Sequence, residues 1–247
     1  MNLKKFIIEY RNRLMTLSLL LLSITLWVLN ISKVTTFTDL ELWGFITGLW
    51  SIWLAVFNLP SNWAIGLINE AIFFIMFWNL GLFANAWLQV FFAIVSIYGW
   101  VYWLYGGKKR TEAPITYAGF VTTLGWALST TFLTAFICFG MQAITGSYVL
   151  TDCLTTALSI IATYLLAKRK IENWIFWIIA DVIYIMLFIN QGIGLWAILY
   201  TVFILMCIKG IFDWRHIFSS AVNQAGIKLQ DVEKHKIKEK RKVNEEI

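Results

Sequence analysis

A chain of 247 residues that is 60% hydrophobic and only 14% charged, with a mean hydropathy of +0.72, excludes a soluble domain and points to an all-α integral membrane protein. Its net charge of +6 sits in short clusters between apolar runs. That placement is orientation charge in loops, and it excludes a nucleic-acid-binding patch.

The first 39 residues hold a basic segment, KKFIIEYRNR, and an apolar run over 14–31. No small-residue cleavage site follows this run and a second span comes soon after, so it reads as an uncleaved helix and not a signal peptide. Runs over 40–58, 62–80 and 84–105 make a three-helix group, 40–105. The linker 106–146 contains one run, 116–138; its Gly106-Gly107-Lys108 lacks the spacing of a phosphate loop. A second group, 147–212, has runs over 147–167, 172–190 and 193–212, and a basic tail, 213–247, follows. Each run is long enough to cross a hydrocarbon core of about 30 Å as a helix.

Eight spans with the N-terminus inside put Lys4, Lys5, Arg11, Arg13, Lys108, Lys109, Arg110, Lys168, Arg169, Lys170 and the tail on one face. Only Lys33 falls on the other. Both termini are therefore expected in the cytosol, with the chain in a bacterial-type inner membrane. Cys138, Cys153 and Cys207 show no pairing or metal spacing, and His216 and His235 lie beyond the last span. No disulfide, metal site, catalytic set or cofactor is expected from them.

Shifting the sequence by 111 positions aligns the two groups. Asn62-Trp63 meets Asn173-Trp174, Glu70 meets Asp181, Phe73 meets Tyr184, Phe77 meets Phe188, Phe92 meets Phe203, Gly99 meets Gly210 and Trp103 meets Trp214. Gly44 and Gly48, a small-xxx-small pair that permits close helix approach, meet Thr155 and Ser159. Three helices reverse the side of the membrane, so the single helix in the linker must cross back before the second group can start. The organisation is a parallel three-one-three repeat preceded by one extra helix.

On a helix over 172–190, Trp174, Trp177, Asp181 and Tyr184 fall within an arc of about 80°. The matched stripe in the first repeat reads Trp63, Gly66, Glu70 and Phe73. Glu70 and Asp181 lie at mid-span, where a charged acid costs roughly 2.5–3.5 kcal/mol on insertion scales. Asn62, Asn69, Gln89, Gln142, Tyr200, water or a cationic solute are the available partners. Two bland roles compete: acids as interhelical hydrogen-bond glue, and tryptophans as interfacial anchors. An aromatic stripe beside a carboxylate suits a flat cation bearing hydroxyls, because the rings attract the cation and the acid and amides take the hydroxyls.

Asn173, Trp174 and Trp177, continuing into IIADVIYI, together with the three-one-three organisation and the basic tail, resemble the Pnu-type vitamin transporters over about residues 40–212. The resemblance is nearest to those that carry nicotinamide riboside, the vitamin B3 precursor of NAD. It implies a seven-helix core similar to the SWEET sugar carriers, an extra N-terminal helix, and a trimer. It also implies facilitated diffusion, coupled to a cytosolic ribosylnicotinamide kinase that traps the vitamin. Trp174 and Trp177 would flank the pyridinium ring, with Asn173 beside them. Thiamine and deoxynucleoside carriers share the scaffold and are the alternatives. A membrane enzyme using Glu70 and Asp181 as acid and base would need a metal or phosphate constellation near a surface, and these acids lie at mid-depth. The helix-bending proline of each SWEET repeat is not matched here, since Pro60 falls on Ile171.

Overall fold

The computed structural model describes residues 3–34, 37–81, 83–145, 150–190 and 194–245. Its helices are α1 (Leu3–Ile31), α2 (Asp39–Val56), α3 (Ser61–Asn79), α4 (Phe83–Tyr105), α5 (Phe120–Thr145), α6 (Leu150–Ala167), α7 (Asn173–Asn190) and α8 (Gly194–Glu245). The eight expected spans are thus eight helices. Seven are long and apolar enough to cross a membrane. The remaining one, α2, carries Asp39 and Glu41 in its first turn. The expected starts of the sixth and eighth spans, at 147 and 193, lie outside the described residues.

Local signals set the helix ends. Thr38 and Glu41 form a capping box: the Thr38 N–H and hydroxyl both reach Glu41 Oε2, at 2.8 and 2.9 Å, and the Glu41 N–H donates back to Thr38 Oγ1 at 3.3 Å. At the far end of α2, Asn58 adopts φ +58°, and at the matched end of α6, Arg169 adopts φ +52°. In each case the left-handed residue returns its N–H to a helix carbonyl, Asn58 to Ala55 and Arg169 to Leu166, both at 2.9 Å. The repeat therefore shares its helix stop as well as its helices.

Two expectations are corrected. The fifth span begins at Phe120 and not at 116. Thr116 pairs instead with the α6–α7 loop as an isolated parallel bridge to Lys170, accepting from Ile171 N–H at 3.1 Å and donating to Arg169 O at 3.0 Å. Gly119, at φ +82°, then turns the extended segment into the helix. Cys138 and Cys153 are also joined as a disulfide between α5 and α6, with Cα atoms 5.6 Å apart. The packing of α5 on α6 brings residues 15 apart in sequence together, a pairing that spacing alone does not reveal.

The chain divides into two compact units, residues 1–51 with 61–94 and residues 52–60 with 95–247. The division does not follow the repeats, because the C-terminal parts of α2 and α4 belong to the second unit. In the first unit α2 and α3 approach closely at Gly44, where a Cβ would lie 3.1 Å from the Phe73 ring. In the second unit α7 packs against α6 and α8, and α5 against α6. Its apolar core is Leu158, Ile161, Ala162, Leu165, Phe176 and Ala180.

Candidate functional site

Asp181 lies near the middle of α7, four residues past the half-buried Trp177, and is only 4% exposed. Its carboxylate has no hydrogen-bond or ion-pair partner among the described residues. Tyr184, Tyr200 and the buried Cys207 thiol lie within its electrostatic reach. Tyr184 follows one turn after Asp181, and its ring centroid is 4.9 Å from that of Tyr200 on α8. Phe188 stacks on Tyr184 at 6.1 Å and meets Tyr200 at 5.3 Å, and Phe203 closes the group edge-on to Tyr200 at 5.3 Å. Thr155 of α6 lies beside Tyr184, its hydroxyl donating to Thr151 O at 2.9 Å. The result is an aromatic wall with one buried acid, assembled from α6, α7 and α8.

Trp177 packs against the apolar core while remaining half-buried. Trp174 is placed differently. It is 1% exposed, sits edge-on to Trp214 at 5.4 Å, and lies so close to Gly210 that a Cβ there would come within 2.6 Å of its ring. Asn173 is fully buried and donates from Nδ2 to Lys170 O at 2.6 Å, while its Oδ1 and the Trp174 Nε1 make no hydrogen bond among the described residues. Both residues belong to the helix start beside the basic loop. Trp103, which sequence position marks as an interfacial anchor, is buried completely and donates to Leu166 O at 3.1 Å.

That loop is itself tightly held. Arg169, 2% exposed, donates to Ala113 O, lies 4.6 Å above the Trp103 ring and is 3.8 Å from Glu112. Burial lowers the pKa of its guanidinium, and Glu112 and Tyr102 act the other way. Glu172 receives the Ala118 N–H at 2.8 Å. These contacts strap the linker to the second repeat and leave Arg169 as an internal strut.

In the first unit, Asn69 donates from Nδ2 to Gly44 O and to Thr47 Oγ1, the latter at 3.0 Å, so its amide joins α3 to α2. Asn62 is buried and its backbone carbonyl accepts from Ser51 Oγ at 3.1 Å. Glu70 and Gln89 are half-buried, and Gln142 on α5 is exposed. The structure therefore brings Asp181, Tyr184 and Tyr200 together in the second unit, while Trp177 packs on the apolar core of that unit. It sets Gln142 on an exposed surface of α5 and gives Asn69 an interhelical role. Phe188, Phe203 and Thr155 join the site without having been singled out, although each occupies a position that the 111-residue repeat matches.

Comparison with known proteins bears on this arrangement. Residues 38–216 match the family model described as nicotinamide mononucleotide transporter. The chain is 29% identical over 201 residues to the nicotinamide riboside transporter PnuC of Escherichia coli (strain K12), a match spanning 71% of this chain and 84% of that protein. The PnuC of Shigella flexneri matches with the same figures. The crystal structure of the vitamin B3 transporter PnuC superposes with a TM-score of 0.69 at 16% identity, covering 85% of this chain and 92% of that one, which shows a shared fold.

Proposed function

The chain belongs to the nicotinamide mononucleotide transporter family, and from that premise we propose that it carries nicotinamide riboside across the membrane. It is a membrane transporter and not an enzyme. The observation that supports the substrate most directly is Asp181: a buried carboxylate with no protein partner among the described residues, beside an aromatic wall. Keeping an acid so placed ionised is costly unless something cationic arrives to balance it. The pyridinium of nicotinamide riboside supplies that charge on a flat ring that the tyrosines and Trp177 can face, and its ribose supplies hydroxyls.

The resemblance to Pnu-type carriers supports facilitated diffusion. A cytosolic kinase that phosphorylates the riboside makes entry effectively one-way. The basic clusters orient both termini toward the cytosol of a bacterial-type inner membrane, and the resemblance to Pnu-type carriers supports a trimer.

Calorimetric titration of the purified protein with nicotinamide riboside, thiamine, a deoxynucleoside and nicotinamide mononucleotide tests the substrate. The riboside should bind most tightly. The mononucleotide should bind more weakly, because its phosphate adds negative charge to a site that already holds a buried acid. Tighter binding of thiamine or of the deoxynucleoside would replace the proposed substrate while keeping the carrier.

A further inference from the structure

Two lysines in the second unit are held by matched sets of residues in which cation and ring have changed places. Lys209 on α8 lies 4.9 Å from the Phe57 ring and 5.8 Å from the Trp53 ring, both at the end of α2, and pairs with Asp213 one turn along. Lys168, just past the end of α6, lies 4.9 Å from Tyr98 and 4.7 Å from Tyr102 on α4, and 5.9 Å from Tyr164. The 111-residue offset carries 53 to 164, 57 to 168, 98 to 209 and 102 to 213. Each cluster therefore uses the same four positions of the repeat, but the lysine comes from the first helix in one and from the third helix in the other. Incidental contacts of surface lysines would not reproduce four matched positions.

The same relation governs the contact between the clusters. Trp103 Nε1 donates to Leu166 O, and Trp214 Nε1 donates to Ala55 O, each at 3.1 Å. Positions 103 and 214, like 55 and 166, differ by 111. Each repeat thus lends a tryptophan to a helix-end carbonyl of the other, and the two rings meet edge-on at 5.7 Å. On one side of this pair α2 is tied to α8, and on the other side α4 is tied to the end of α6.

We propose that these contacts are the latch that closes the carrier at its basic end, and that it opens on one side, with the Lys168 arm releasing while the Lys209 arm stays as the hinge. Rocking of one repeat against the other requires contacts of this reciprocal kind to break at the end that opens. The two arms are unequal. The Lys209 side chain is 9% exposed, is balanced by a carboxylate, and packs on Trp53, which is 3% exposed. Lys168 is half-buried, Tyr98 is 39% exposed, and no acid pairs with Lys168 among the described residues. Cation–π attraction is strong where water is excluded and weak where it is not, so the Lys168 arm yields first.

The test rests on the nicotinamide riboside reading and uses the full chain in proteoliposomes. Tyr98→Cys with Lys168→Cys, and Phe57→Cys with Lys209→Cys, are cross-linked by a short bismaleimide, with the single-cysteine variants treated alike as controls. Tethering the first pair should abolish uptake of the riboside, and tethering the second should leave most of it. Equal losses, or loss on the second tether alone, would overturn the proposal. A second measurement needs no substitution: hydrogen–deuterium exchange of the wild type with and without the riboside. Exchange should change at 98–105 and stay constant at 53–57, and the reverse or an equal response would also overturn it. Failure of the untreated wild type to bind or take up the riboside would instead fault the substrate, independently of the latch.

Discussion

Replacing Trp174 and Trp177 by alanine should produce opposite signatures, although the two residues are one turn apart. Trp174 is 1% exposed, edge-on to Trp214 at 5.4 Å and in close contact with Gly210. Trp174→Ala would empty a filled site that neighbouring rings cannot collapse into, a change that costs about 3–5 kcal/mol. At about 2–4 °C per kcal/mol for a chain of this size, the melting temperature should fall by roughly 6–20 °C. Trp177 is only half-buried against the α6–α7 core. Trp177→Ala should melt closer to the wild type but bind nicotinamide riboside about thirtyfold more weakly, the equivalent of ~2 kcal/mol of desolvated cation–π contact. Melting and calorimetric affinity, measured on the same purified samples, separate the two effects. A Trp174→Ala protein that melted normally but lost affinity would refute this division of roles, as would unchanged affinity in Trp177→Ala.

Gly210→Ala should lower the melting temperature by the equivalent of about 1–3 kcal/mol of overpacking against Trp174, whereas Gly125→Ala, with nothing within 4 Å of its new Cβ, should not. Trp103→Phe and Trp214→Phe each remove one of the reciprocal hydrogen bonds and leave a small void, so each should destabilise by at least about 1 kcal/mol; an unchanged thermal melt in either variant would contradict the matched arrangement. A reporter that fluoresces only in the cytosol should be bright at either terminus, and a dark signal at one end alone would mean an odd number of spans.

The helix count and the repeat were legible because both rest on simple signals, apolar runs of membrane length and one constant offset. Helical spacing also put Asp181 and Tyr184 on one stripe of α7, whereas Phe188 and Phe203 beside Tyr200 depend on how α7 meets α8. Other features depended on tertiary partners. Whether a tryptophan near a helix end faces lipid or interior is not written in its position, and Trp103 proved to be an interior hydrogen-bond donor. The start of α5 moved because Thr116 finds backbone partners in a loop 53 to 55 residues away, at Arg169 and Ile171. The Cys138–Cys153 bond required knowing the register of α5 on α6. The exchange of cation and ring between positions 57 and 168 was hidden from a search for identical residues, because the geometry is kept while the residue types are swapped.

The central claim is that Asp181 is held buried for a cationic solute, and calorimetric titration of Asp181→Asn and Glu70→Gln with nicotinamide riboside tests it most directly. Asparagine keeps the size and most of the hydrogen-bonding capacity of the acid while removing its charge. If the carboxylate pairs with the pyridinium, Asp181→Asn should remain folded and lose at least about thirtyfold in affinity, the equivalent of ~2 kcal/mol, with Glu70→Gln affected to a different extent. Wild-type affinity in both variants, with unchanged melting temperatures, would contradict the account.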